Sequence, residues 1–253
     1  MKHGATKNLR AGCVLLIIFL MLFCSFALLP QPVRATNTVN TVTATVTVGS
    51  EPYRVAVTPD GAYAYVANQN SDTVSVISTA TNTVTATVNV GKGPRGVAVT
   101  PDGEYAYVAN WDDTTVSVIS TATNTVTATV NVGNSPEDVA VTPDGAYAYV
   151  TNLGSDTVSV ISTATNTVTA TVNVGTYPWG VAVTPDGAYA YVANALSDSV
   201  SVISTATNTV NATVTVGSYP MDVAVTPDGN YAYVTNGAGD SVSVISTATN
   251  TVT

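Results

Sequence analysis

The sequence predicts an all-β protein: a β-propeller of five four-stranded blades, each built from a 42-residue repeat. Three observations carry this. The tripeptide "PDG" containing Asp60 recurs with Asp102, Asp144, Asp186 and Asp228, at constant steps of 42 residues and with no insertion. A period in the low forties with several short strands per unit is what a propeller blade requires. Within each unit, β-branched and aromatic residues alternate with Thr, Ser, Ala and Asn, the period-two pattern of strands. The chain has 253 residues, of which 45% are hydrophobic and only 9% charged, and it contains no long Ala/Glu/Lys/Leu stretch that would read as a helix.

The first unit defines the elements in order. Strand A is "VAVT" from Val55. "PDG" then makes a tight turn: Pro59 presets φ, Asp60 bonds its own backbone, and Gly61 accepts a positive φ. Strand B is "AYAYVAN", with Tyr63 and Tyr65 on one side and Ala64 and Val66 on the other. The tyrosine pairs are expected to fill the space between sheets, and the small alanines to suit the crowding where blades converge. A polar loop, Gln69 to Asp72, leads to strand C, "TVSVIS". "TATN" from Thr79 is the next turn, with Asn82 suited to the left-handed region. Strand D, "TVTATVNV", ends at Gly91. A single sheet of this kind does not stand alone in water, whereas blades packed face to face around an axis bury both faces.

Residues Asn40 to Val48, "NTVTATVTV", match strand D but precede the first strand A, and the fifth unit stops just inside its own strand D. The sequence therefore predicts that the N-terminal D strand pairs with the last strand C and closes the ring, removing the open edge. The alternative is an incomplete ring, cut from a longer chain or completed by a second molecule; nearly identical repeats favour such exchange.

Residues 1–35 read as a signal peptide or N-terminal membrane anchor, and 36–253 as the propeller. Lys2, Lys7 and Arg10 precede a largely apolar run of 19 residues, Ala11 to Leu29, and "LPQPVRA" follows with a breaker and a small residue at Ala35. That order is the order of a secretory signal. The run is also nearly long enough to span a bilayer, so an uncleaved anchor is the competing reading. Either way the bulk of the chain is expected to be exported to the cell surface or beyond. Beyond Arg34 only Arg54, Lys92 and Arg95 face sixteen acids, a formal charge of −13. Such a domain repels phosphate backbones, which argues against nucleic-acid binding, and anionic lipid, which leaves the N-terminal segment as the only membrane contact. Cys13, Cys24 and His3 all lie in the leader, so the repeats contain no thiol or imidazole for a nucleophile, a zinc site, a haem ligand or a Ser-His-Asp triad.

The strand B endings "YVAN" (Tyr65, Tyr107, Tyr191) and "YVTN" (Tyr149, Tyr233), each after "VAVTPDG", resemble the YVTN family of β-propeller repeats, over Asn37 to Thr253. The resemblance implies a propeller on or outside the cell surface, as in surface-layer and surface-antigen proteins, and supplies no shared catalytic residues. Propellers of that family often have seven blades, against five units here.

Comparing the five units with one another shows where a function could sit. Strands A to D and the A–B and C–D turns barely differ. Differences gather before strand A ("SEPYR", "KGPRG", "NSPED", "TYPWG", "SYPMD") and after strand B ("QNSDT", "WDDTT", "LGSDT", "ALSDS", "GAGDS"). In a four-stranded meander both connections lie at the same end of the blade. One face of the disc therefore carries Tyr53, Arg54, Arg95, Trp111, Asp112, Leu153, Tyr177, Trp179, Tyr219 and Met221. Aromatic and Arg side chains are common interface anchors, so this face is the expected binding site for a protein or glycan partner, with homo-oligomer formation left open. Loop drift after duplication is the competing explanation.

The loop aspartates Asp72, Asp156, Asp198 and Asp240 sit one per blade, too far apart to gather the six to eight oxygens calcium takes, and read as turn caps; no metal and no cofactor is expected. Catalysis is not expected either. Glu51, Glu137 and Asp138 are the carboxylates that an extracellular hydrolase or lactonase-like enzyme would use at the channel mouth, but no blade places a unique polar group in strand A as read above. Asn211-Ala212-Thr213 is a glycosylation sequon on strand D, at the outer rim.

Overall fold

The structure, a computed structural model, describes residues 41–253. The expected signal or anchor lies outside them. Twenty strands form five four-stranded antiparallel sheets, all within one compact unit, Thr43–Thr253. In blade 1, strands A to D are β1 (Pro52–Val57), β2 (Tyr63–Asn68), β3 (Thr73–Ser78) and β4 (Thr83–Asn89), in that spatial order. The same meander repeats in blades 2 to 5, whose A strands are Pro94–Val99, Pro136–Val141, Pro178–Val183 and Pro220–Val225. Successive A strands pack against each other around the axis, while D strands lie at the rim. The protein is a β-propeller in architecture, as its sequence predicts.

The turns hold by the chemistry their residues supply. Asp60 Oδ1 accepts from the Thr58 hydroxyl at 2.6 Å and from the Ala62 N–H at 2.9 Å, with Gly61 at φ +72°. Asn82 adopts φ +53°. Equivalent Thr–Asp bonds recur in the other four blades.

The core is four copies of one interface. Each joins the tail face of a blade to the head face of the next: Tyr65, Ala67, Val74, Val76 and Val88 of blade 1 meet Val97, Ala106, Val108 and Ile119 of blade 2. The three further clusters repeat this at 42-residue offsets. The second tyrosine of the "YAY" pair is buried in blades 1 to 4 (Tyr65, Tyr107, Tyr149 and Tyr191); of the first tyrosines, Tyr105 and Tyr189 pack half-buried against the core, whereas Tyr63, Tyr147 and Tyr231 stay exposed. The pair spans two strand positions, and only the one nearer the sheet centre is roofed by the next blade.

Two expectations are corrected. Strand A begins three residues earlier than its apolar run suggests, because the residues before Val55 pair with strand B across a β-bulge: Pro52 faces Asn68 while Val55 faces Val66. Ring closure by the N-terminal D strand does not occur. Residues 41–48 carry no strand, and strand C of blade 5 pairs with its own short D strand, Thr251–Val252. Thr47, Val48 and Gly49 instead lie against strands C and D of blade 1, where Asn89, Val90 and Gly91 lie against blade 2. They take the place of the strand end arriving from a preceding blade. Both end faces are consequently open. Val55 is 61% exposed, against 7% for Val97, and Tyr233 is 45% exposed, against 0% for Tyr191.

Candidate functional site: the axial mouth

The variable residues do converge on one end of the disc. In every blade the first residue after strand B donates its N–H to a carbonyl in the connection leading into that blade's strand A: Gln69 to Glu51, Trp111 to Gly93, Leu153 to Ser135, Ala195 to Tyr177 and Gly237 to Tyr219, at 2.8 to 3.0 Å. The loop aspartates tie neighbouring blades together. Asp72 accepts from the Gly93 N–H, Asp156 from Tyr177 and Asp198 from Tyr219, each at 2.8 Å. These three carboxylates are thereby occupied by backbone donors, at three of the four blade connections; blade 2 has Thr114 at this position.

The bulge brings the variable residues into the innermost strand. Tyr53, Arg95, Glu137, Trp179 and Met221 occupy its second position, and Arg54, Gly96, Asp138, Gly180 and Asp222 its third. Strand A therefore does hold polar groups unique to single blades, contrary to the sequence expectation. Bulges re-aim side chains in this way and favour barrel rims and sites.

Two clusters result. In the first, Arg95 lies with its guanidinium carbon 3.7 Å from the Trp111 ring centroid and 5.0 Å from that of Tyr53, and it donates to Glu137 Oε2 at 2.7 Å. Glu137 is fully buried; its Oε1 and the Arg95 Nε have no hydrogen-bond partner. Burial, and next the Glu137 carboxylate, hold the Tyr53 phenol above its usual range. Arg54 reaches from blade 1 past Gly96 of blade 2 to Asp138 of blade 3, at 2.8 Å. A Cβ on Gly96 would lie 2.7 Å from the Asp138 Cα, so the glycine leaves the room this ion pair crosses. Burial pushes the Asp138 carboxyl up to about 6; Arg54 and the Val181 N–H at 3.1 Å oppose the rise, and Asp222 adds to it.

In the second cluster Trp179 stands between Tyr177 and Tyr219, with centroids 6.0 and 6.1 Å away and both contacts edge-to-face. This loop position is left-handed in every blade: Glu51 at φ +51°, Gly93 at +61°, Ser135 at +51°, Tyr177 at +64° and Tyr219 at +55°. Such a conformation costs a residue with a side chain roughly 1–2 kcal/mol. Met221 and Asp112 are at the surface of the same end, whereas Leu153 is buried beneath its loop, 4% exposed, and offers nothing to a partner. Asn211 is exposed on strand D of blade 4, away from this face.

Sequence reasoning missed Asp222 and the structural coupling of Asp138. A signal was present. Strand B ends in "YVTN" in the two blades whose strand A has Asp in third position, and the Thr hydroxyl accepts the N–H of that Asp: Thr151 from Asp138 at 3.0 Å, Thr235 from Asp222 at 3.1 Å.

Fold and site together define a β-propeller whose charged and aromatic groups line the axial end of its innermost strands. The family model described as "Lactonase, 7-bladed beta-propeller" matches residues 78–213 and 180–253, more than half of the chain, and the protein belongs to that family. Among solved structures it is similar to hydrazine synthase from Kuenenia stuttgartiensis: 27% identity, TM-score 0.73, 84% of this chain and 68% of that chain covered. A functionally unknown protein from Desulfotomaculum acetoxidans DSM 771 matches with 22% identity and TM-score 0.72, over 82% of this chain and 69% of that one, which bears on the fold alone. No curated protein matches in sequence.

Proposed function

We propose that this protein is an exported, non-catalytic binding module that recognises a protein or glycan of the cell surface through its axial mouth. One observation carries the reading: Trp179 stands between Tyr177 and Tyr219 at the mouth, three partly exposed aromatic side chains in edge-to-face contact. Clustered aromatic side chains at a surface are common interface anchors. The charged groups beside it point away from catalysis. Glu137 and Asp138 are buried and each is ion-paired with an arginine, which supports a structural role for both.

Attachment to cell-wall material is the test. Trp179→Ala and Trp111→Ala are expected to lower it at least tenfold each. Tyr177→Gly is expected to lower it as well while leaving stability unchanged or raising it by up to about 1 kcal/mol, because glycine relieves the left-handed strain. Binding that survives all three changes would remove the axial mouth from consideration. Protease or periodate treatment of the wall material separates a protein partner from a glycan.

A second reading, a lactonase-like hydrolase, is favoured by the family match and by the elevated Asp138 carboxyl. It requires turnover of lactones that Asp138→Asn abolishes.

A further inference from the structure

We propose that the aromatic triad of Tyr177, Trp179 and Tyr219 is a cation site that takes an arginine side chain of a partner polypeptide. This rests on the reading above that the axial mouth binds a partner, and it names the chemistry of the group bound.

The other half of the mouth shows what such a set of side chains holds. Arg95 and Trp179 occupy the same position, the second of strand A, in blades 2 and 4. Around Arg95 stand two aromatic rings, Trp111 at 3.7 Å and Tyr53 at 5.0 Å from the guanidinium carbon, and the Glu137 carboxylate at 2.7 Å. Two rings and a carboxylate thus surround one guanidinium. In the second cluster the rings are present and the cation is not. Trp179 puts a ring where blade 2 has the arginine, with Tyr177 and Tyr219 inclined to it at 62° and 65°. All three side chains are partly exposed, so ring surface stays open to solvent.

Negative charge surrounds these rings. Asp156 and Asp198 accept from the backbone N–H groups of Tyr177 and Tyr219. Asp222 lies against Gly180, the residue after Trp179, with its Oδ1 2.6 Å from where a Cβ would sit. The chain offers no cation of its own to match them. Beyond Arg95 it contains no Lys, Arg or His, whereas every acid except Glu51, Asp60 and Asp72 lies there. A ring face attracts a cation through its quadrupole, and a field of one sign raises the local concentration of the opposite one. Of the two basic side chains, the guanidinium is planar, weakly hydrated and able to stack on rings, which favours arginine over lysine. A neutral sugar would use the rings but not the charge.

The full chain, in mild detergent, is titrated by isothermal calorimetry at physiological ionic strength with a synthetic Gly/Ser peptide carrying a short run of arginines. The same peptide carrying citrulline, the neutral isostere, is the comparison. The arginine peptide is expected to bind at least tenfold more tightly. Trp179→Leu keeps every charge and is expected to weaken binding of the arginine peptide at least fivefold, and Trp179→Phe, which keeps a ring, to lose less than half of that in free energy. Glu104→Gln, at an exposed A–B turn on the opposite end of the disc, is expected to leave binding unchanged. Three results would overturn the assignment: no binding of the arginine peptide, equal binding of the two peptides, or parent-like binding by Trp179→Leu, which means bulk charge alone. The wall-attachment assay separates these from failure of the mouth itself. Attachment lost in Trp179→Ala without arginine-peptide binding overturns the cation site alone, whereas attachment kept in every variant removes the mouth as well.

Discussion

Tyr191 donates its phenolic hydroxyl to the side-chain oxygen of Asn250 at 2.7 Å, joining strand B of blade 4 to the C–D turn of blade 5. The same bond closes each of the other three interfaces at a separation of 59 residues. It fixes the rotation of one sheet on the next from its edge, while the apolar cluster beside it supplies the area. Removing one copy is expected to cost about 1 kcal/mol, the net value of a neutral hydrogen bond. Tyr149→Phe should lower the unfolding free energy from denaturant titration by that amount. Tyr233→Phe, at the exposed equivalent in blade 5, should stay within about 0.5 kcal/mol of the parent in the same measurement.

The Arg95–Glu137 pair is expected to behave as a buried ion pair. Arg95→Ala leaves the fully buried Glu137 carboxylate without its cation and should destabilise by about 3–5 kcal/mol. Replacing both together, Arg95→Met with Glu137→Leu, should recover most of that loss, because no charge then stays buried. Chemical denaturation of the three variants checks the non-additivity.

Acid and neutral pH act on different aspartates. Asp138 is raised above its unfolded value, to about 6, so its contribution to stability is fully present below the unfolded carboxylate range and is lost as pH rises through about 6. The five turn aspartates run the other way. The Thr hydroxyl and the following backbone N–H hold them below the usual range, so their contribution is present above it and lost as pH falls. Stability should therefore peak near the lower edge of pH 4 to 5. Asp138→Asn should remove a decline of about 2 kcal/mol between pH 4 and 7. The slope of stability against pH, rather than its absolute value, is the readout, since the substitution also releases Arg54.

Gly96 is expected to tolerate no side chain. A Cβ would sit 2.7 Å from both the Asp138 Cα and the Glu137 carbonyl oxygen, which are backbone and cannot swing away. Gly96→Ala should cost about 1–3 kcal/mol by forcing blades 2 and 3 apart, and it should also break the Arg54–Asp138 contact. Gly61→Ala meets nothing within 4 Å, and its cost should be the roughly 1 kcal/mol of the left-handed φ alone. Thermal unfolding of the two variants separates packing from conformational strain.

The repeat, its four strands and its turns are legible in the sequence because each is enforced locally. Alternation sets which side chains share a face, Thr58 and Asp60 close their turn within five residues, and Asn82 meets a left-handed turn by its own chemistry. The end of the disc where variation gathers follows from the same meander. Two things had to wait for tertiary structure. One was the bulge before Val55 and its equivalents, a cross-strand register that placed Arg54, Glu137 and Asp138 in the innermost strand. The other was closure. Counting strands makes five complete blades, but the angle between blades is set by how Tyr65 and its equivalents pack against the next sheet. At that angle the first and last faces do not meet, leaving Val55 and Tyr233 in solvent.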